Sequence, residues 1–379
     1  MSISMPSTVQ AAGRRAGAVF AALEDRAERL PGRPSVGVLL SVLGFVVLAV
    51  LGVVIQENFW LRVLTLAFLF TGVAQSWNLM AGYAGQWSLA QLAFFGVGAY
   101  AAGILQQEAG VPLLLGLVPA MAVTVVFAVV IGYVTLRLRG HYFSVLTFFL
   151  VVALYELVRY FADYTGGQYG LNIPFSAETD VLRLQLGGVR AYYYLGLVVA
   201  ILSTVALWVV ARSQFGLKLR AIRDDQDAAA AVGVAVHKLK VIAMAISAAM
   251  AGFAGVAYLA TYKLMDADTA FGVHATLDPV VAGILGGAGQ LMGGALGEVV
   301  LQPVVAQVSR SAGSVPGLTT LVYGLILMLV ILFLPKGLLG LGARRFARRG
   351  RIADAAGAAR GAHRPDTTES TDSTEESTP

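Results

Sequence analysis

Residues 212 to 240 read Arg212-Ser-Gln-Phe-Gly-Leu-Lys-Leu-Arg-Ala-Ile-Arg-Asp-Asp-Gln-Asp-Ala-Ala-Ala-Ala-Val-Gly-Val-Ala-Val-His-Lys-Leu-Lys240, a charged island between long apolar runs. Six apolar stretches precede it, at about 36–55, 60–80, 86–107, 112–136, 142–162 and 191–211, and residues 241–262 follow it. Crossing about 30 Å of hydrocarbon takes roughly 20 helical residues. Lipid offers backbone N–H and C=O groups no partner, so such stretches form helices. The expected fold is all-α, a polytopic transmembrane bundle. Composition agrees, since 57% of the 379 residues are hydrophobic and 13% charged, far from the balance of a soluble domain.

The bases orient the spans. Arg14, Arg15, Arg26, Arg29 and Arg33 precede the first span, Arg137, Arg139 and His141 lie between the fourth and fifth, and the island follows the sixth. All three segments fall on one side, the cytoplasmic side under the positive-inside rule. The loop at 163–190 falls outside. Residues 241–262 return outward, and 318–336 end inside because Lys336, Arg344, Arg345, Arg348, Arg349 and Arg351 follow. Residues 278–308 must then cross an even number of times. Their glycine-rich centre, Gly283 to Gly297, suits two short segments or a re-entrant hairpin, which brings the expectation to about 8–10 membrane segments. Both termini are placed in the cytoplasm of a bacterial-type plasma membrane.

Three parts follow from this reading. Residues 1–35 are basic, with Val9, Ala16, Phe20, Leu23, Ala27 and Leu30 at helical spacing; they fit either an amphipathic surface helix or a disordered leader. Residues 36–340 form the transmembrane domain. Residues 341–379 are a basic, then acidic tail without apolar residues to bury near its end, expected to be disordered.

Within the island, Lys218, Arg220 and Arg223 precede Asp224, Asp225 and Asp227, and then Ala228 to Ala231. Acids before an alanine run favour a helix start through capping and the helix dipole, and Gly233 suits its stop. A short helix with small side chains makes a peg for a groove on another protein. An ordinary positive-inside loop would need only the bases.

Gly82, Gly85, Gly96 and Gly98 surround Gln86, Trp87, Ser88 and Gln91 inside apolar sequence. Polar groups at such depth face protein or water. The segment reads as a glycine-broken lining of a solute path, while any one Gln or Ser reads as interhelical hydrogen bonding. Glu156 and Arg159 stand three apart and fit a salt-bridged pair. Thr165-Gly-Gly-Gln-Tyr-Gly170 fits a gate, a docking surface or a plain turn.

Several chemistries are excluded. There is no cysteine, so no disulfide or Cys-ligated metal. His141, His237, His274 and His363 are scattered, and no metal site is expected. No Gly-x-x-x-x-Gly-Lys-Ser/Thr run occurs, so no phosphate loop of that kind is present. No acidic residue is read at membrane depth.

The segment Ser213 to Asp225 followed by Ala228 to Val234 closely resembles the cytoplasmic coupling loop of branched-chain amino-acid ABC importer permeases of the LivM and LivH type. Trp77-Asn-Leu-Met-Ala-Gly-Tyr-Ala-Gly-Gln-Trp-Ser-Leu-Ala-Gln-Leu-Ala-Phe-Phe-Gly-Val-Gly-Ala-Tyr100 resembles the first signature of that family. Leu138 to Phe143, Thr165 to Leu171 and Leu334 to Gly340 match three further elements in the expected order, and Thr165 to Leu171 with the chain length favours the LivM branch. Two departures stand out. Asp225-Gln-Asp227 replaces the commoner Glu-Ala-Ala, and Ala90-Gln-Leu-Ala93 replaces Gly-His-Ala-Ala.

The resemblance implies a permease subunit, not an enzyme, that takes up branched-chain or hydrophobic amino acids. It implies a second homologous permease, two cytoplasmic ATP-binding subunits and an extracytoplasmic solute-binding protein, all working at the bilayer and without nucleic acid. ATP and Mg would be held by the partners, with no cofactor in this chain. The implied coupling residues are Gly216, Arg220, Arg223, Asp224, Asp225, Ala228, Ala229 and Gly233. Asn78, Gly82, Gly85, Gln86, Ser88, Gln91, Gly96 and Gly98 would line the path, and Thr165, Gly166, Gly167 and Gly170 the external gate. The alternatives are the same machine for urea or short amides, an ion-coupled secondary carrier, and, with least support, a membrane-bound enzyme. The missing deep acids and the island argue against the carrier.

Overall fold

The computed structural model of the chain describes residues 36–174, 180–312 and the single positions 321, 324, 325, 328 and 338. The basic segment 1–35, most of the expected last span and the tail 341–379 lie outside the described residues.

The chain is helical almost throughout. Helix α1 is Val36–Val54, and α2 is Asn58–Trp77, running directly into a π turn at Asn78–Tyr83. Then come α3 (Gln91–Ala109), α4 (Leu113–Thr135), α5 (His141–Tyr160) and the single turn α6 (Ala162–Thr165). Helix α7 is Val189–Arg212, α8 Gln214–Asp224, α9 Gln226–Ala231 and α10 Val236–Tyr262. The last are α11 (Ala267–Phe271), α12 (Val273–Gly286) and α13 (Gly293–Ala312). Strand β1 (Leu171–Asn172) pairs antiparallel with β2 (Leu264–Met265).

Asn58–Tyr83, α4, α5, α7 and α10 are long and apolar enough to cross a membrane, and Ser41–Val54 and α12 are shorter apolar helices. The protein is a multi-pass helical membrane protein. Each span expected within the described residues has its helix. The third begins at Gln91 rather than near 86, because Ala84–Ala90 is irregular. Residues 273–312 form a helical hairpin with its tip at 287–292, which the even parity required.

Helix α2 is the axis of the bundle. Its residues Leu61 and Val63 through Trp77 are all buried except Leu66, with α7, α10, α12 and α13 around them. Helix α10 packs on α3 and α4. The outer helices instead expose apolar side chains, such as Val118 and Val126 of α4 and Phe149 of α5, the surface a helix presents to hydrocarbon. Apolar contact with lipid is as favourable as with protein, so close packing rather than hydrophobic burial must hold such helices together. Gly98 supplies it: a Cβ there would lie 2.6 Å from the Gly252 Cα on α10. Gly255 likewise sits against the Phe95 carbonyl.

Two expectations are corrected. Gly96 and Gly98 break nothing, since both lie within the continuous helix α3, where absence of a side chain serves packing. And an acid does lie inside the apolar segments. Glu298 of α13 is 0% exposed, accepting a hydrogen bond at Oε2 from Gln302 Nε2 at 3.2 Å. The case against an ion-coupled carrier therefore loses one of its two supports.

Candidate functional site

The island folds as two helices, not the single short one that its alanines announce. Helix α8 begins at Ser213, whose Oγ accepts from Gly216 N–H at 3.2 Å. Its apolar side, Leu219 and Ile222, is buried on the bundle, and Gly216 lets it turn sharply against the Val210 carbonyl of α7. Asp225 then caps α9, accepting from the N–H groups of Asp227 and Ala228, both at 3.0 Å. This is the acid-before-alanine start that the sequence carries. Gly233 ends the element with φ +89°, a left-handed value that disfavours other residues.

The island's charges divide into two sets. Lys218, Asp224, Asp225 and Asp227 are exposed, as are Ala228, Ala230 and Ala231, while Ala229 is buried. Asp227 pairs with Arg139 at 3.0 Å, which puts the loop between α4 and α5 at the same end as the island. Positive-inside parity had put them on one side. Half-buried Arg220 and partly exposed Arg223 instead reach back to the bundle. The Arg220 guanidinium lies 5.1 Å from the centre of the Tyr83 ring and donates to the Ala211 carbonyl at 3.3 Å. Arg223 Nη1 donates to the Gly82 carbonyl at 2.8 Å, and its Nε and Nη2 both reach Asp224 Oδ1 at 3.1 Å.

Gly82 belongs to the π turn, and the same turn grips the hairpin tip. Asn78 Oδ1 accepts from Gly289 N–H at 2.7 Å, and Asn78 Nδ2 donates to the Gln290 carbonyl at 2.7 Å. Gln75, three residues earlier on α2, donates to the Leu291 carbonyl at 2.9 Å and to Thr204 Oγ1 of α7 at 3.1 Å. A Cβ on Gly82 would collide with both Asn78 Oδ1 and Gly289 N, so glycine alone admits this approach. Three elements distant in sequence, α8, the π turn and the hairpin tip, thus share one hydrogen-bonded junction. π turns of this kind occur often at functional positions.

The other path candidates are spread around this junction. Gly85, φ +68°, lies against Arg223. Gln86 Nε2 turns back to the Ala84 carbonyl at 3.3 Å, and Ser88 Oγ accepts from Ala90 N–H at 3.2 Å. Gln91 joins α3 to α10 through Ser247 Oγ at 3.3 Å, and Ser247 donates to the Ser76 carbonyl at 3.0 Å. Gly96 faces Ala270 and Phe271 of α11. Gln75, Thr204 and the hairpin-tip carbonyls were missed from the sequence. The three-residue spacing of Gln75 and Asn78 on one helix face was the available signal for the first.

At the opposite end, the four gate candidates form a bonded knot. Thr165 Oγ1 lies 2.6 Å from the Val158 carbonyl and 2.9 Å from that of Phe161, and it accepts from Gly167 N–H at 3.2 Å. Gly166, Gly167 and Gly170 all have positive φ, and Gly170 packs against the backbone of Met265 and Asp266. Beside the knot, Glu156 and Arg159 pair at 3.6 Å. Lys263, at the end of α10, donates to the Leu184 carbonyl at 3.2 Å, and burial pushes its ammonium pKa down to about 8.

A buried helical axis, outer helices with exposed apolar faces and a glycine hairpin locked to a loop helix describe a multi-pass helical membrane protein. The comparisons with known proteins make that specific. Residues 59–331 match the family described as branched-chain amino acid transport system, permease component. The chain belongs to this family. It is 26% identical over 303 residues to the high-affinity branched-chain amino acid transport system permease protein LivM of Salmonella typhimurium, covering 73% of this chain and 68% of that one. A probable LivM of Methanocaldococcus jannaschii is 25% identical over 239 residues, 58% of this chain and 68% of the relative. The autoinducer 2 import system permease protein LsrC of Enterobacter sp. is 29% identical over 145 residues, 37% of this chain and 41% of its own length. No solved structure matches the chain significantly.

Proposed function

We propose that the chain is the permease subunit of an ATP-driven ABC importer for branched-chain or other hydrophobic amino acids, with α8 and α9 as the element that receives the ATPase motion. The family match over residues 59–331 supports the importer reading, and the hydrogen-bonded junction Arg223–Gly82–Asn78–Gly289 supports the coupling role. A partner pressing on the exposed face of α9 pushes through Asp225 on α8, which Arg223 bonds to the π turn and, through Asn78, to the hairpin tip. Packed interfaces have few alternative arrangements, so such a joint moves as a discrete step. The exposed alanines and Gly233 form the docking face, while Arg220 and Arg223 pass the motion inward.

The partners in this reading are a second homologous permease, two cytoplasmic ATP-binding subunits that hold ATP and Mg, and an extracytoplasmic solute-binding protein. The island end and both termini face the cytoplasm. The path runs beside α3 and the π turn to the external knot at Thr165–Gly170. Reconstituted with its partners in vesicles, the complex is expected to accumulate labelled leucine only with ATP. Uptake driven by an ion gradient without ATP would overturn this reading and point to Glu298 as a coupling acid. For the solute, titration calorimetry of the partner binding protein is expected to show heat with leucine or valine and none with urea.

A further inference from the structure

The end of the bundle opposite α8 and α9 carries an open cleft of about 360 Å³, lined by Tyr155, Arg159, Gln168, Tyr169, Ala267 and Asp268. It holds charges of both signs beside aromatic faces. The Arg159 guanidinium lies 5.5 Å from the centre of the Tyr155 ring, and Tyr155 Oη donates to Asp268 Oδ1 at 3.2 Å. Glu156 also touches Arg159, but at 3.6 Å and with its own side chain 66% exposed. A guanidinium has five donors and a carboxylate about four acceptor positions, so both groups retain capacity for an arriving ligand.

We propose that this cleft receives a zwitterionic aliphatic amino acid, its carboxylate on Arg159, its ammonium on Asp268, and its side chain against the rings of Tyr155 and Tyr169. This rests on the importer reading and adds a substrate contact on the permease itself. A neutral amide such as urea gains nothing from the paired charges, and a plain anion meets Asp268 and Glu156. The floor of the cleft is α11, which presents Ala267 and Asp268 to it. The other side of α11 seals against α3: Ala270 and Phe271 pack on Gly96, and Phe271 stacks on Tyr100 with ring centres 5.9 Å apart. The cleft therefore stands directly outside the glycine face of α3.

Saturation-transfer NMR of leucine against the full-length chain in lipid nanodiscs tests this. Leucine is expected to give a signal, and Arg159→Gln and Asp268→Asn are each expected to weaken its binding about tenfold or more, the loss of one charge-assisted contact. Two half-ligands sort the charges. Binding of 3-methylbutylamine, which lacks the carboxylate, is expected to respond to Asp268→Asn and not to Arg159→Gln; 4-methylpentanoate, which lacks the ammonium, should do the reverse. Tyr169→Ala, at a side chain 92% exposed and thus harmless to folding, is expected to weaken leucine binding. No signal on the wild-type chain, or a signal that both charge variants leave unchanged, would overturn the proposal. Loss of cross-linking to the binding protein with leucine binding intact would also overturn it, making the cleft a protein-docking surface. ATP-driven uptake and ATPase co-purification by the wild-type complex are read separately. If they persist while leucine gives no signal, the cleft assignment alone fails; if they are absent, the importer reading fails.

Discussion

The two ends of the bundle are constructed differently. At the α8–α9 end, Gln75, Asn78 and Arg223 direct their side chains at backbone groups of other elements, and the hairpin tip is held at 2.7–2.9 Å contacts. At the far end, Arg159 and Asp268 stand around an open cleft with contacts at 3.2–3.6 Å. The buried Gln75 and Asn78 side chains make that network costly to break, with Arg223 joining it from the surface, so the elements it ties move together. Exposed, loosely paired charges contribute little to stability and are free to exchange partners. One end is suited to transmit a displacement, the other to meet something arriving.

The sharpest way to break that contrast is Asn78→Ala. It leaves the part-buried Gly289 N–H without its partner, at a cost of about 1–3 kcal/mol, and takes from the Gln290 carbonyl one of two donors, the Gly293 N–H remaining. The stability of the purified chain to thermal unfolding is expected to fall by about 1–3 kcal/mol, with uptake lost; an unchanged midpoint would show that Asn78 does not hold the hairpin tip. Arg223→Ala comes next. It removes one charge-assisted bond of about 1.5–3 kcal/mol, so uptake per ATP hydrolysed is expected to drop about tenfold while the ATPase subunits still co-purify. Lys218→Ala, at an exposed position of the same helix, should leave that ratio unchanged. If both variants act alike, the reach of Arg223 back to the bundle carries no motion.

A smaller effect is expected from Gly233→Ala, which forces a left-handed backbone on alanine for about 1 kcal/mol. ATPase co-purification at limiting concentration would read it. The smallest concerns pH. Lys263 has a folded pKa near 8 against an unfolded value of 10.5, so between them the unfolded chain binds more protons. Stability therefore rises with pH across about 8–10.5, and the full burial cost stands below 8. Subtracting the unfolding profile of Lys263→Met is expected to reveal that rise, whereas parallel profiles would show that Lys263 is not desolvated.

Much of this was legible in the chain. Apolar length and the positions of Arg137, Arg139 and the island gave the spans and their parity, and Arg139 indeed meets Asp227. Asp225 and Gly233 marked both ends of α9. Helix α8 was hidden because its periodic residues, Leu219 and Ile222, are interleaved with charges that also serve as a topology signal. Arg220 and Arg223 were read as facing a partner protein, since nothing local shows that Tyr83 and Gly82 lie within reach. Glu298 was overlooked inside an apolar run, where its neighbour Gln302 is the sole local hint of a partner.

By itself the sequence determined that the chain crosses a bilayer repeatedly, which loops share a side, and which family it resembles. Those properties depend on local hydropathy, charge and motif, all readable one segment at a time. Only the tertiary structure decided that the island is fastened to the hairpin tip through the π turn, and that Arg159 and Asp268 face one cleft. Contacts across 113 to 216 positions of sequence depend on how helices pack. In lipid, that packing is set by where glycines such as Gly82 and Gly98 let backbones approach.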